Sequence, residues 1–297
     1  MNSEPNAEIR KVTEQDETYP KSLRELVDRP SVLYVKGRWP LPETCRIGIV
    51  GTRRASFYGL EAAQRFTIDL VRHGIVIVSG LAAGIDACAH RMTLQQGGWT
   101  VAVLGHGFGH QFPKENAPLF AEIAKQGTIV TEFSYETPPV ATNFPLRNRI
   151  ISGLSQGVVV IEAGMRSGAS ITARYAAEQG RDVFVVPGSI FSPQSQGCHR
   201  LIKEGAKLTD SVADILTEYG FEEPVEAPLA PAPQPKKEAI TPAEAKLIER
   251  MSLVPISVDE LAEVTAMRVD HLAEVLLSLE LKGRIRAMPG QHYVTCD

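Results

Sequence analysis

An open, doubly wound α/β fold with a mainly parallel sheet is predicted for the centre of this 297-residue chain. Three observations predict it. Short Val- and Ile-rich segments alternate with helix-like patterns along the centre. Those segments are apolar on both faces, as buried parallel strands are. Nearly every one of them empties into a Gly-rich turn ahead of a helix. Alternation of this kind covers a sheet with helices on both sides.

Taken in order, the strands are expected at RIGIV (46–50), IVIVS (75–79), TVAVL (100–104), TIVTE (128–132), GVVVIEA (157–163) and DVFVVP (182–187). Helical patterns begin near Ser56, Gly84, Pro118, Arg147 and Gly168. Together they predict an extended Rossmann-like domain over 30–217, behind a short N-terminal extension of residues 1–29. The stretch EEPVEAPLAPAPQPKKEAI (222–240) holds five prolines and four alanines and has no hydrophobic period. It reads as a semi-stiff linker, bounded at 218–240. In the tail, 241–297, Thr241 to Glu244 and Ser257 to Glu260 are capping boxes, the first with Pro242 at the opening helical position. A third helix runs from about Arg268 to Lys282 with apolar Val269, Leu272, Leu276 and Leu279, and Gly283 stops it. RIRAM, the turn PGQ and HYVT then form a hairpin. Three helices and a hairpin predict a small winged-helix domain.

The bulk properties exclude several classes. No run reaches the roughly 18 apolar residues of a membrane span, and the N-terminus lacks the apolar core of a signal peptide. Cys45, Cys88, Cys198 and Cys296 are isolated, which reads as reduced thiols in the cytoplasm. Net charge is −4, but it is partitioned. Residues 30–217 carry 18 Lys and Arg against 14 Asp and Glu, whereas the tail carries 6 against 9. The centre is basic enough to accept an anionic ligand.

In a doubly wound sheet ligands bind at the carboxyl ends of the strands. Here those ends read Gly51 to Arg54, Ser79 to Gly84, Gly105 to Gly109 and Pro187 to Ser189. Each turn offers backbone N–H groups and a helix start to an anion. The first turn is GTRRAS, not GxGxxG, and the second strand ends in Ser79–Gly80 without an acid for a ribose hydroxyl, so NAD is not expected. No GxxxxGK[ST] loop occurs either. Among the cations, Arg147 and Arg149 are expected in the first turn of a helix, where the helix dipole disfavours positive charge by roughly 0.3–1 kcal/mol. With Arg53 and Arg54 they predict a rim whose cations are compensated by external phosphates. The competing reading for Arg149 is an ion pair with Glu162 or Glu132. Phe144 is placed to stack a base, or simply to pack. Asp86 and His90 stand at i, i+4 as a structural pair. No acid–base pair, nucleophile elbow, metal cluster or cofactor motif is read from the sequence.

Six stretches occur in order: GTRRAS (51–56), SGLAAGIDACAH (79–90), FPKEN (112–116), NFPLRNRIISGLS (143–155), EAGMRSGASITARYAAEQGR (162–181) and VPGSI to SQGCHRLIKEGA (186–206). In these the chain resembles the DNA processing protein A (DprA/Smf) family over about residues 18–217. The resemblance implies a non-catalytic, cytoplasmic, homodimeric protein that binds single-stranded DNA. Such proteins protect incoming DNA in natural transformation and load the RecA recombinase onto it. Carried onto matching positions, it implies phosphate contacts from Arg53, Lys114, Arg147 and Arg149, and Gly51, Thr52, Arg54 and Asn148 are expected in the same nucleic-acid interface. Gly80, Ser167 and Gly168 would supply backbone donors. The chain departs from the family pattern at Gly109 and Phe112. The tail resembles the family's winged-helix domain, but its third helix carries Asp270 and Glu274, which oppose duplex phosphates. A protein contact is therefore expected of it. The alternative for the whole chain is a nucleotide phosphoribohydrolase of the LOG type, whose paired-glycine loop EAGMRSGAS lacks. A transcription regulator acting through the tail is a third reading.

Overall fold

The computed structural model describes residues 9–221, 240–252, 255–288 and 290–295, and most of the expected linker lies outside them. The chain divides into two compact units, residues 1–223 and 224–297. In chain order the first unit contains β1 (Arg10–Thr13), α1 (Lys21–Arg24), β2 (Val32–Gly37), β3 (Arg46–Val50), α2 (Phe57–Arg72) and β4 (Val76–Ser79). Next come α3 (Ile85–Gln95), β5 (Thr100–Val103), α4 (Ala117–Gln126), β6 (Thr128–Thr131), α5 (Asn143–Leu154) and β7 (Gly157–Val160). It closes with α6 (Gly168–Glu178), β8 (Asp182–Val185), α7 (Gln196–Lys203), β9 (Lys207–Leu208) and α8 (Ala213–Glu218).

These strands form a nine-stranded sheet in the order β1-β2-β6-β5-β4-β3-β7-β8-β9. From β6 to β9 the pairings are parallel, while β2 runs antiparallel to both β6 and β1. Because successive side chains point to opposite faces, each central strand supplies two layers. Val50, Val78, Val103 and Val160 bury against α5 and α6. Ile49, Ile77 and Val159 bury against α2 and α3 on the other face. The chain winds outward from β3 through β4 and β5 to β6, then returns through α5 to place β7 on the other side of β3. The switch point thus falls between β3 and β7, where doubly wound folds bind ligands.

The expected strands are present, each within three residues of its predicted end. Three differences have physical causes. First, residues 10–29 are not an extension outside the domain, because β1 pairs with β2 and Tyr19, Leu23 and Leu26 are buried in the main core. Polar residues surround these anchors and hid them. Second, β2, α7, β9 and α8 went unread, the last two because they hold only two and six residues. Third, α5 begins at Asn143, four residues before the predicted start. Pro145 sits in its first turn, where a missing N–H costs nothing, so Arg147 and Arg149 occupy the second turn.

The second unit runs α9 (Pro242–Ile248), β10 (Ile256–Ser257), α10 (Val258–Thr265), α11 (Val269–Leu281), β11 (Ile285–Met288) and β12 (His292–Thr295), with the strands in the spatial order β10-β12-β11. Both capping boxes form. Leu247, Leu261, Leu272, Leu276, Leu279 and Ile285 make the core. Pro289, in the expected hairpin turn, lies outside the described residues. No helix among the described residues is long and apolar enough to cross a membrane.

Candidate nucleic-acid interface

At the switch point a cleft of about 780 Å³ opens between the β3–α2 loop and the β7–α6 loop, with the start of α5 alongside. Its lining includes Gly51, Thr52, Arg53, Arg54, Phe144, Arg147, Asn148, Ser167 and Gly168. A recess of about 120 Å³ shares Arg53, Phe144 and Arg147 with it and adds Gly80, His106 and Phe112.

The β3–α2 loop is held from below. Thr52 N donates to Glu162 O at 2.8 Å, and Ile85 N donates to Thr52 O at 3.3 Å. The buried Glu162 carboxylate accepts from Ser56 N at 2.9 Å and from Ser56 Oγ, while Ser56 Oγ caps α2 by accepting from Gly59 N. Gly84, at φ +77°, brings α3 against the Thr52 and Arg53 carbonyls, closer than any Cβ permits. With the backbone fixed, the side chains of Arg53 and Arg54 are exposed and have no carboxylate partner among the described residues. The Arg53 guanidinium lies 5.5 Å from the centre of the Phe144 ring. Phe144 and Phe112 stand 5.5 Å apart at 43°, and Phe112 is 40% exposed.

The α5 arginines are arranged differently. Arg147 is 4% exposed. Its Nη1 donates to Gly80 O at 2.7 Å and to Val103 O, and its Nε donates to Asn148 Oδ1 at 3.1 Å. Asp86 lies beside it and accepts from Gly80 N at 3.1 Å and Ala82 N at 3.4 Å. Burial lowers the Arg147 pKa to about 10, with Asp86 opposing the shift. Burial also raises that of Asp86, against the pull of Arg147 and the two N–H groups. Arg149 forms a bidentate pair with Glu132 at 2.6 and 2.7 Å and reaches Asp28 at 3.2 Å. Burial disfavours its charge, but the Glu132 hydrogen bonds and charge more than offset this and raise its pKa. The expectation that external phosphates compensate these two cations is therefore corrected: internal carbonyls and carboxylates do. Glu162, the other candidate partner of Arg149, is engaged in capping α2. Asp86 and His90 do not pair; His90 Nδ1 lies 2.6 Å from Thr100 Oγ1 instead.

The remaining expected residues divide. Asn148 is 8% exposed and donates to Gly168 O at 3.3 Å, tying α5 to the start of α6. Ser167 caps α6 through Ala169 N at 3.2 Å. A Cβ at Gly168 would meet nothing within 4 Å, so this glycine leaves the cleft floor open rather than satisfying a tight turn. Lys114 is exposed in a short 3₁₀ turn and lies outside both linings, although its neighbours Pro113 and Glu115 line the recess. The sequence reading missed Arg166, an exposed cation on the cleft wall opposite the β3–α2 loop, with no carboxylate partner among the described residues. It stands directly before the N-cap Ser167, which was the available signal. Also missed was Asn116, whose Nδ2 donates to Leu81 O at 2.9 Å and holds the Gly80 loop where Leu81 takes φ +55°. A separate cavity of about 620 Å³ beside α6 and β9 carries more cations, but Arg174, Arg181, Arg200 and Lys207 are each paired with a glutamate.

Fold and cleft define a Rossmann-like protein with a cationic, glycine-floored groove at its switch point, followed in the chain by a separate winged-helix unit. The chain belongs to the DNA recombination-mediator protein A family, whose model matches residues 10–220, and a DprA winged helix domain matches residues 229–291. Protein Smf of Escherichia coli K12 is 40% identical over 290 residues, covering 97% of this chain and 77% of that protein. DNA processing protein DprA of Streptococcus pneumoniae is 45% identical over 206 residues, covering 69% and 73%. The X-ray structure of the Streptococcus pneumoniae DprA superposes with a TM-score of 0.68 at 43% identity, covering 73% of this chain and 75% of that one. DNA processing protein A from Helicobacter pylori, described for its single-stranded DNA binding mode, gives 0.64 at 28% identity, covering 72% and 97%.

Proposed function

We propose that this chain is a cytoplasmic, non-enzymatic, homodimeric mediator that binds single-stranded DNA in the switch-point cleft, protects incoming DNA and loads the RecA recombinase onto it. The observation that carries the DNA-binding reading is a division of labour among cations. Arg53, Arg54 and Arg166 line the cleft exposed and without a carboxylate partner among the described residues, whereas Arg147 and Arg149 are spent inside the fold. Exposed guanidinium forks around a floor that lacks a Cβ suit a phosphate backbone, and Phe144 with Phe112 suits an unstacked base. Backbone-directed cations give little base preference. Recognition of single strands also fits the family's mediator role and the DNA binding described for the Helicobacter pylori relative.

The cleft does not suit the hydrolase alternative. Its lining contains one carboxylate, Asp86, and that group is buried against Arg147 and two backbone N–H groups. A general base must be able to reach a proton on substrate, and this one is occupied. For the tail we propose a protein contact, because Asp270 and Glu274 are exposed along α11, the helix that would meet a duplex groove. Of the expected linker, 218–240, Glu218 closes α8 and Tyr219 and Phe221 pack on the first unit's core, so the linker we propose begins after Phe221, and the winged helix spans 241–297. Titrating labelled oligo-dT into wild type and an Arg53→Ala/Arg166→Ala double variant tests the reading. Loss of binding in the folded double variant is expected; unchanged affinity contradicts it.

A further inference from the structure

Two large apolar side chains beside the cleft stand in solvent and take no part in the core. Ile190 is 75% exposed and Phe191 is 89% exposed. They lie on the loop that leaves the carboxyl end of β8, the strand paired with β7. Met165, on the adjoining β7–α6 loop, is also exposed. Single exposed apolar residues are ordinary, but neighbours of this size gathered on one rim mark a contact surface.

The loop is fixed, and it is fixed to both walls of the cleft. Pro187 O accepts from Tyr58 Oη at 2.6 Å. Tyr58 stands in the first turn of α2, just after Arg54 in the chain. Gly188 O lies 3.0 Å from His199 Nε2 on α7, and Gly188 leaves no room for a Cβ against Ser195. Within the loop Ser192 N donates to Ser189 O at 3.0 Å, and Phe191 N donates to Ser189 Oγ at 3.3 Å. From the other side Gly197 N donates to Ala163 O at 2.7 Å, which ties the start of α7 to the β7–α6 loop that carries Arg166. The apolar tip is thus held between the element that follows Arg53 and Arg54 and the element that carries Arg166. A tip ordered in advance loses little conformational entropy when a ligand arrives.

Charge decides which ligand. From Val183 to Lys203 the chain holds no Asp or Glu. Arg200 on α7 is paired with Glu204, whereas Arg54 and Arg166 are exposed and have no carboxylate partner among the described residues. An exposed ring set among unpaired guanidinium groups, with no acid on its own loop, matches a single-strand track: cations hold the phosphates and the ring stacks a base. In the sheet order β8 lies two strands from β3, about 10 Å across, a span of a few nucleotides.

We propose that Phe191 is a stacking platform for a base of the single strand beyond the arginines, with Ile190 beside it. The track then continues from the switch point onto the carboxyl end of β8. The proposal rests on single-strand binding at the cleft and extends its footprint. Because the ring meets a base and not a phosphate, it adds affinity without adding salt dependence.

The test measures the affinity of wild type, Phe191→Ser and Phe191→Trp for oligo-dT and for the same oligomer with abasic sites, across a salt series. The exposure of Phe191 makes it dispensable for folding. Phe191→Ser is expected to bind oligo-dT about tenfold more weakly with the salt slope of wild type, and Phe191→Trp to bind as wild type does. On the abasic oligomer Phe191→Ser and wild type should bind alike. Equal oligo-dT affinity in wild type and Phe191→Ser overturns the proposal. So does an equal loss on both oligomers, because the ring would then be acting on something other than a base. Sedimentation of the same proteins should show one oligomeric state throughout; loss of self-association in Phe191→Ser places the tip between copies of the chain and overturns the proposal too. A wild type that binds no oligo-dT fails the cleft reading itself and takes this proposal with it, whereas a failure confined to the Phe191 comparison leaves the cleft reading standing.

Discussion

Arg53 and Arg54 on the β3–α2 loop, and Arg147 and Arg149 on α5, are the same residue type bordering one cleft, yet they do opposite work. The first pair is exposed and has no carboxylate partner among the described residues. The second pair is built into the wall, one against carbonyls and Asp86, the other against Glu132. The difference follows from where each backbone runs. A loop capped from beneath by Glu162 turns its side chains outward, whereas the second turn of α5 faces the Gly80 loop and β5. Removing a loop arginine subtracts a charge from a surface; removing an α5 arginine strands a carboxylate in the interior.

That contrast is easiest to break at Arg147. Arg147→Ala leaves Asp86 buried without its cation, and a loss of about 3–5 kcal/mol in the first unit's stability is expected by denaturant unfolding. Asp86→Asn in the same background should recover part of it. Arg149→Ala should cost less, about 2 kcal/mol, because solvent reaches its pair with Glu132. Its oligo-dT affinity per folded molecule should stay within about twofold, since no phosphate contact is lost. Arg53→Ala should reverse that pattern: unchanged stability, with binding weakened about tenfold, or roughly 1.4 kcal/mol. A stability loss in Arg53→Ala, or an affinity loss without destabilisation in Arg149→Ala, would erase the distinction between the two pairs.

The tail gives the smallest expected effect and a pH dependence of definite sign. Glu244 accepts from Lys282, from Ser278 and from the Thr241 N-cap, which hold its pKa down at about 2. Its folded value lies below the unfolded one, so its contribution is present above about pH 4.3 and is lost as pH falls toward 2. Acid titration of the second unit should show this loss in wild type and not in Glu244→Gln. Across the same titration the first unit reports independently through the near-ultraviolet signal of Trp39 and Trp99, since neither tryptophan lies in the tail.

Much of the fold was legible because the buried parallel strands leave an unmistakable apolar signature, as at GVVVIEA, and because capping boxes announce helix starts, as at Thr241 and Ser257. The N-terminal strand was not, since four residues of RKVT show alternation too short to separate from chance. At the cleft, residue types and their strand-end positions were legible: Gly51 to Arg54, Ser167 and Gly168 all line it. Partnership was not. Nothing near Arg147 in the sequence indicates that the carbonyls of Gly80 and Val103, 67 and 44 residues away, point at its guanidinium. The α5 start was misjudged too: the helix was placed near Arg147, whereas it begins at Asn143 with Pro145 in its first turn. Arg166 was passed over beside the glycines that drew attention, although a cation preceding an N-cap at a strand end is a readable signal.

The central claim is that exposed loop arginines bind phosphates while α5 arginines position the cleft. The most direct test is the salt dependence of oligo-dT affinity for wild type, Arg53→Ala and Arg147→Lys, the last keeping the charge but losing the guanidinium fork. Each phosphate contact contributes about 0.7 to the slope of log affinity against log salt for a single strand. Arg53→Ala is expected to lose about that much slope, and Arg147→Lys to bind more weakly with the slope of wild type. If instead Arg147→Lys loses slope and Arg53→Ala keeps it, the assignment of the two pairs is reversed and the account fails.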